Sequence, residues 1–194
     1  MIHHIFSNQF YSLITPPNKE EILSASKSFK VNNNLTKQIG WKEKLVNLKV
    51  EGLYEDDIFP LLIPSLNIFF EQLGVSEIPV KLLAVWRNTY RKDGYQALHN
   101  HLNNNGTVHL SGCIFLDDCH PRDGKFYFYN RHICEISPPW RKILKQNRYY
   151  FDVYEPIYKK GDILFFPSEM LHGVYPHKSG NSRQTISFNI GMNP

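Results

Sequence analysis

Residues 80–130 read VKLLAVWRNTYRKDGYQALHNHLNNNGTVHLSGCIFLDDCHPRDGKFYFYN. Short runs of aromatic and β-branched residues alternate here with clusters of Asn, Asp, Gly and Pro. Strands favour the first kind because flat or branched side chains pack well on a pleated surface, and turns favour the second. The runs Lys81–Tyr90, Tyr95–His101, Thr107–Leu116 and Lys125–Asn130 are therefore expected strands. Turns at Lys92-Asp93-Gly94, Asn103–Gly106 and Pro121–Gly124 part them. Downstream, Tyr149–Tyr154, Asp162–Pro167, His172–Tyr175 and Arg183–Gly191 continue the series, with turns at Lys160-Gly161-Asp162 and Ser179-Gly180-Asn181. About eight short strands at such spacing predict a mainly β sandwich or barrel, and eight is the number in a jelly roll. The stretch Arg131–Arg148 carries Pro138-Pro139-Trp140 and several basic residues, and reads as an insertion able to lie over the barrel mouth.

Upstream of Val80 the pattern changes to helix and loop. Asn18-Lys19-Glu20-Glu21 has the spacing of a capping box, after which Ile22, Ala25 and Phe29 share one helical face and Asn32-Asn33-Asn34 supplies a stop. Leu62, Leu66, Phe69, Phe70 and Leu73 mark a second helix. Pro60 and Pro64 should break it near its start, and Gly74 should end it. Both helices are expected to cover a sheet. A chain of 194 residues can bury one sizeable core. The expectation is a single domain, 1–194, in which 1–79 support a core formed by 80–194.

Composition narrows the classes. A hydrophobic content of 42% argues against disorder. The net charge of +4 is modest, and no Lys/Arg-rich run is interleaved with aromatics, so nucleic acid is not an expected partner. No stretch is apolar enough to span a bilayer, and residues 1–10 lack a signal-peptide pattern. The three cysteines, Cys113, Cys119 and Cys134, form no Cys-x-x-Cys pair. A reduced, cytoplasmic protein with no membrane segment is the resulting expectation.

Three features of the β half carry chemistry. His99-Asn100-His101 ends an expected strand, and side chains at i and i+2 share a strand face, so both imidazoles can point into one cavity. His172 lies just beyond Gly161-Asp162-Ile163-Leu164-Phe165-Phe166-Pro167, a strand with a proline stop. Arg183 opens the last strand, where Arg183, Thr185, Ser187 and Asn189 alternate with Ile186, Phe188 and Ile190. The apolar set is expected to face the sandwich core. The polar set is either an ordinary solvent-facing stripe or, facing the barrel interior, a carboxylate receptor, since guanidinium offers a bidentate fork and hydroxyls add donors. The other histidines, His3, His4, His109, His120, His132 and His177, have no such context.

At these residues the chain resembles the 2-oxoglutarate- and Fe(II)-dependent oxygenases. The matching stretches are Trp86-Arg87-Asn88, Gly94-Tyr95-Gln96-Ala97-Leu98-His99-Asn100-His101, Ser111-Gly112, Gly161–Pro167, His172-Gly173-Val174 and Arg183-Gln184-Thr185-Ile186-Ser187-Phe188-Asn189. They follow one another in order, and the likeness covers roughly Val80 to Asn193. The resemblance implies a double-stranded β-helix, the cupin-like jelly roll, with N-terminal helices packed on it. It implies Fe(II) held by His99 and His172, and 2-oxoglutarate held at its far carboxylate by Arg183 with Thr185 or Ser187 assisting. The implied reaction hydroxylates a substrate and releases succinate and carbon dioxide.

One position departs from the wider family, whose second ligand is Asp or Glu. Here it is His101, as in the closer look-alikes. His101 then either completes a three-His metal site, stands behind a two-His site, or marks a metal other than iron. Imidazole ligands must be neutral, so metal binding is expected to weaken as pH falls through about 6.5. Two other functions fit the same residues: a cupin-like three-His metalloenzyme that needs no keto acid, and a non-catalytic jelly-roll binding module. The expected partner is a small-molecule or peptide substrate.

Overall fold

The computed structural model describes residues 9–39, 47–75, 78–120, 123–132, 135–146 and 151–192. His3, His4, Cys134, the start of Tyr149–Tyr154 and part of the Pro121–Gly124 turn lie outside them. In chain order the elements are β1 (Ser12–Ile14), α1 (Lys19–Ala25), α2 (Asn33–Gln38), β2 (Leu48–Gly52), α3 (Glu55–Gln72), β3 (Val80–Tyr90), β4 (Gln96–His99), β5 (Leu110–Phe115), β6 (Phe126–Tyr129), α4 (Pro138–Gln146), β7 (Val153–Tyr154), β8 (Ile163–Pro167), β9 (His172–Val174) and β10 (Arg183–Met192). Each of the eight expected strands forms. They divide four and four: β8-β5-β10-β3 in one antiparallel sheet and β4-β9-β6-β7 in the other. This is a jelly roll. No helix among the described residues is long and apolar enough to cross a membrane.

The first third differs from its reading. Two strands form there, β1 against β8 and β2 against β3, and extend the larger sheet at both edges. The Asn18 side chain does not cap α1; its amide donates to Leu61 O instead, tying α1 to α3. Helix α1 ends at Ala25, and Asn32 starts the next helix rather than stopping the first: its Oδ1 accepts from the amides of Asn34 and Leu35. Helix α3 runs through Pro60 and Pro64. Neither proline lies on the face formed by Ile58, Leu62, Leu66, Phe69 and Phe70, so burial of that face offsets the missing amide bonds. The helix does stop at Gly74, whose φ of +69° allows Gly74 and Val75 to donate back to Glu71 O and Phe70 O.

Helices α1 and α3 cover one face of the larger sheet, which corrects the reading of β10. Ile186, Phe188 and Ile190 pack on Ile22, Leu62 and Phe69 in this outer layer, not in the sandwich interior. The polar side of β10 faces inward. Alternation shows which residues share a face; which face meets the other sheet depends on where the helices pack. Gly112 on β5 serves the same layer, because a Cβ there would stand 2.3 Å from the Phe188 ring. Between the sheets, Tyr90, Cys113, Phe115, Leu164 and Phe166 meet Phe126, Phe128 and Val174.

Candidate metal and co-substrate site

The smaller sheet places the histidines. His99 on β4 is directly opposite His172 on β9, and His172 is opposite Phe128 on β6. An irregularity in the β4–β9 pairing falls between Gln96 and His99 and re-aims the strand end. His101 lies two residues past β4, where its amide donates to Ser168 O and keeps the segment against the sandwich. His99, His101 and His172 converge. The ring centroids of His172 lie 4.2 Å from His99 and 4.8 Å from His101, and the candidate ligand atoms of all three are within 4.8 Å of one another.

Each ring is oriented through Nδ1. His99 Nδ1 donates to Ala97 O at 2.6 Å, and His172 Nδ1 donates to Met170 O at 2.9 Å. His101 Nδ1 lies 2.6 Å from Asn189 Oδ1, which also accepts from Ser111 Oγ. Oxygen acceptors at Nδ1 fix the tautomer and leave the Nε2 lone pair as donor to a metal, the usual outer support of a metal-binding histidine. Among the described residues these three form the only His, Cys, Asp or Glu cluster with metal-ligand spacing.

Burial lowers the pKa of His99 to about 4. Burial and the neighbouring His99 charge lower His101 to about 3, and burial with both neighbours lowers His172 well below the usual value. Protonation of the three imidazoles is thereby moved well below the 6.5 expected from sequence. For the metal-free protein the linkage has a definite sign. The unfolded imidazoles take up protons below about 6.5 while the folded ones do not, so stability is complete above that pH and falls as pH drops below it, down to about 4 for the His99 contribution and about 3 for that of His101. Each group adds a slope of up to about 1.4 kcal/mol per pH unit. Thermal melts of metal-free protein should show a falling Tm across this window, shallower in His172→Asn; a flat Tm would refute the buried neutral cluster.

Across the cavity, the inward side of β10 brings Arg183, Thr185 and Ser187 together. Arg183 is 6% exposed. Its Nη2 donates to Tyr158 OH at 2.9 Å, and the guanidinium carbon stands 5.0 Å from the Tyr90 ring centroid. Tyr158 is held in turn by Phe115, stacked at 3.5 Å. Arg183 Nη1 is buried with no hydrogen-bond partner among the described residues. Asn88, directly opposite Thr185, donates its amide to both Thr185 Oγ1 and Ser187 Oγ, so each hydroxyl keeps its own hydrogen to donate. Burial pushes the Cys113 thiol up to about 11 and the Tyr158 hydroxyl up to about 12, so both are neutral at pH 7. The imidazoles and Arg183 line one narrow cavity.

Asn88, Tyr90 and Tyr158 were not singled out as site residues from sequence. Asn88 stood in the Trp86-Arg87-Asn88 motif, and the β3–β10 register explains its place. Tyr158 lies in irregular chain between β7 and β8, where no pattern marks it. His177, read as without context, is buried 3.2 Å from Asp123, whose carboxylate accepts from the amides of Lys178 and Ser179. This clasp fixes the loop that leads into Arg183.

Residues 84–189 match the family model described as "Putative 2OG-Fe(II) oxygenase". The chain belongs to this family. The matched span holds all three histidines and Arg183. Solved structures agree in fold. HygX from Streptomyces hygroscopicus, with nickel, 2-oxoglutarate and hygromycin B bound, is 13% identical with a TM-score of 0.62, over 95% of this chain and 83% of that one. The non-haem alpha-ketoglutarate-dependent carbocyclase SnoK from nogalamycin biosynthesis is 14% identical with a TM-score of 0.63, over 96% and 81%. A Pseudomonas putida prolyl-4-hydroxylase is 12% identical with a TM-score of 0.55, over 96% and 94%. No curated protein matches the chain. As a 2OG-Fe(II) oxygenase, the protein uses Fe(II) and 2-oxoglutarate. The cavity suits both: three oriented imidazoles for the metal, and a buried guanidinium nitrogen lacking a partner for a carboxylate.

Proposed function

We propose that this oxygenase hydroxylates a small-molecule or peptide substrate while 2-oxoglutarate is converted to succinate and carbon dioxide. The observation that carries the reading is one cavity holding three Nε2-presenting imidazoles and a buried Arg183 with an unused nitrogen. His99, His101 and His172 hold the Fe(II), which when bound supplies the activation of dioxygen. Arg183 Nη1 and the hydroxyls of Thr185 and Ser187 receive the far carboxylate of the keto acid. Tyr158 and Tyr90 keep the guanidinium in place, and Asn88 turns the two hydroxyls. Phe126 and Phe166, packed 5.4 and 4.7 Å from the His172 ring, exclude water from the metal side.

The test is anaerobic loading with Fe(II), addition of 2-oxoglutarate, exposure to air and quantification of succinate. Succinate should form slowly without substrate and rapidly with it, one oxygen atom entering the product. Metal-loaded protein that leaves the keto acid intact in the presence of its oxidised substrate would favour the three-His enzyme that needs none.

A further inference from the structure

A second cleft lies where the edges of the two sheets face one another. On this side β1 is the edge of the larger sheet and β7 the edge of the smaller one. Tyr11, one residue before β1, bridges them: its hydroxyl pairs with Tyr154 OH of β7 at 2.7 Å. Tyr154 stands directly opposite Phe128 on β6, so both side chains lie on one face of the sheet. Four rings then touch in file. Phe128 stacks on Tyr11 at 5.7 Å, Tyr11 meets Tyr154 at 5.4 Å, and Tyr154 meets Phe151 edge-on at 5.6 Å. Phe128 is buried at the inner end of this row, and Phe151 is 48% exposed at the outer end. The row walls a cleft of about 340 Å³, within the size range of small-molecule sites. The cleft lies at the same end of the smaller sheet as the histidines: β6 leaves the sheet at Tyr129, and Met170 and Leu171, which line the cleft, lead directly into His172. Phe128 is 5.2 Å from Phe166, and Phe166 is 4.7 Å from the His172 ring.

The lining defines the occupant. Among the described residues no charged side chain lines the cleft; its polar side chains are tyrosine hydroxyls and the amides of Gln9 and Asn130. Burial and the bond to Tyr154 push the Tyr11 hydroxyl up to about 12, so it is neutral at pH 7. Of two paired hydroxyls one hydrogen is used, and the other stays free to donate outward. Aromatic walls favour flat rings set offset or edge-on, whereas a buried charge with no opposite charge beside it is costly. Rings in file form a wall, not the box of ring faces that encloses a quaternary ammonium ion. We infer that this cleft binds an uncharged, planar aromatic ring system bearing a hydrogen-bonding group, and that it holds the non-reacting part of the oxygenase's substrate beside the histidine cluster. The second half of this inference rests on the function proposed above; the first half does not.

The experiment titrates four probes into the metal-free full chain by calorimetry: 2-naphthol, its saturated counterpart decahydro-2-naphthol, the anion 2-naphthalenesulfonate and the cation benzyltrimethylammonium. 2-Naphthol should bind about fivefold or more tighter than each of the others, because only it is flat, aromatic and uncharged. Phe151→Leu keeps apolar bulk at a half-exposed position and removes the ring, and should weaken 2-naphthol about fivefold or more. Equal binding of the saturated or charged probes, or full affinity in Phe151→Leu, overturns the cleft as an aromatic site. Proximity to the histidines is read by NMR with Mn(II) as a paramagnetic probe in wild type and His172→Asn. Broadening of the 2-naphthol protons in wild type, lost in His172→Asn, is the expected result. Mn(II) bound in wild type without such broadening overturns the substrate role and leaves the cleft standing. Mn(II) that fails to bind wild type removes the metal assignment, and the substrate role with it, while the cleft is still judged by the calorimetry.

Discussion

His172→Ala should weaken Fe(II) binding by more than about hundredfold, since even outer supports of metal ligands contribute ten- to hundredfold and this residue is an inferred ligand. The structure gives His172 a central place. It is 4% exposed, its ring neighbours both other imidazoles, and its Nδ1 is committed to Met170 O. Alanine removes the nitrogen donor and opens a gap between Phe126 and Phe166, so folding must be followed beside metal content. His172→Asn keeps polarity and some bulk and separates the two effects: a folded protein that has lost iron supports the assignment. Dialysis against Fe(II) under argon, with circular dichroism on the same samples, reads both. Unchanged iron affinity in a folded His172 variant would remove His172 from the site. His101→Ala should likewise weaken binding and alter the visible absorption of the iron–keto-acid complex.

Much of this arrangement is legible in the sequence, and the illegible parts have identifiable causes. From Val80 onward, strands are announced by alternation and ended by residues at positive φ: Asp93, Gly106, Gly124 and Gly161 all fall in expected turns. The histidine cluster is legible because i and i+2 share a strand face and because His172 follows a strand with a proline stop. Strands β1 and β2 are not, since three and five residues hold too little alternation and their partners decide the pairing. The run of α3 through two prolines reflects tertiary burial overriding local preference. The orientation of β10 needed the helices, which cover the face carrying Phe188 and leave Arg183 facing inward. Contacts such as His101 to Asn189, or Arg183 to Tyr158, join residues 88 and 25 positions apart and leave no local mark.

Arg183→Ala is expected to weaken 2-oxoglutarate binding to the Fe(II)-loaded protein about ten- to a hundredfold, from the loss of about 1.5–3 kcal/mol in charge-assisted hydrogen bonding. The side chain is almost wholly buried, Nη2 is spent on Tyr158, and Nη1 has no hydrogen-bond partner among the described residues. Arg183→Lys should fall between wild type and Ala, because an ammonium keeps the charge but cannot serve Tyr158 and a carboxylate with a planar fork. Loss of a buried side chain could also disturb the cavity generally, and a comparison of two keto acids separates that effect. Wild type should prefer 2-oxoglutarate to 2-oxovalerate, because only the former reaches Arg183, Thr185 and Ser187 with a second carboxylate. In Arg183→Ala the preference should collapse towards unity while binding of 2-oxovalerate changes little. A general disturbance would weaken both keto acids alike, and a preference that survives intact would place the carboxylate elsewhere than Arg183.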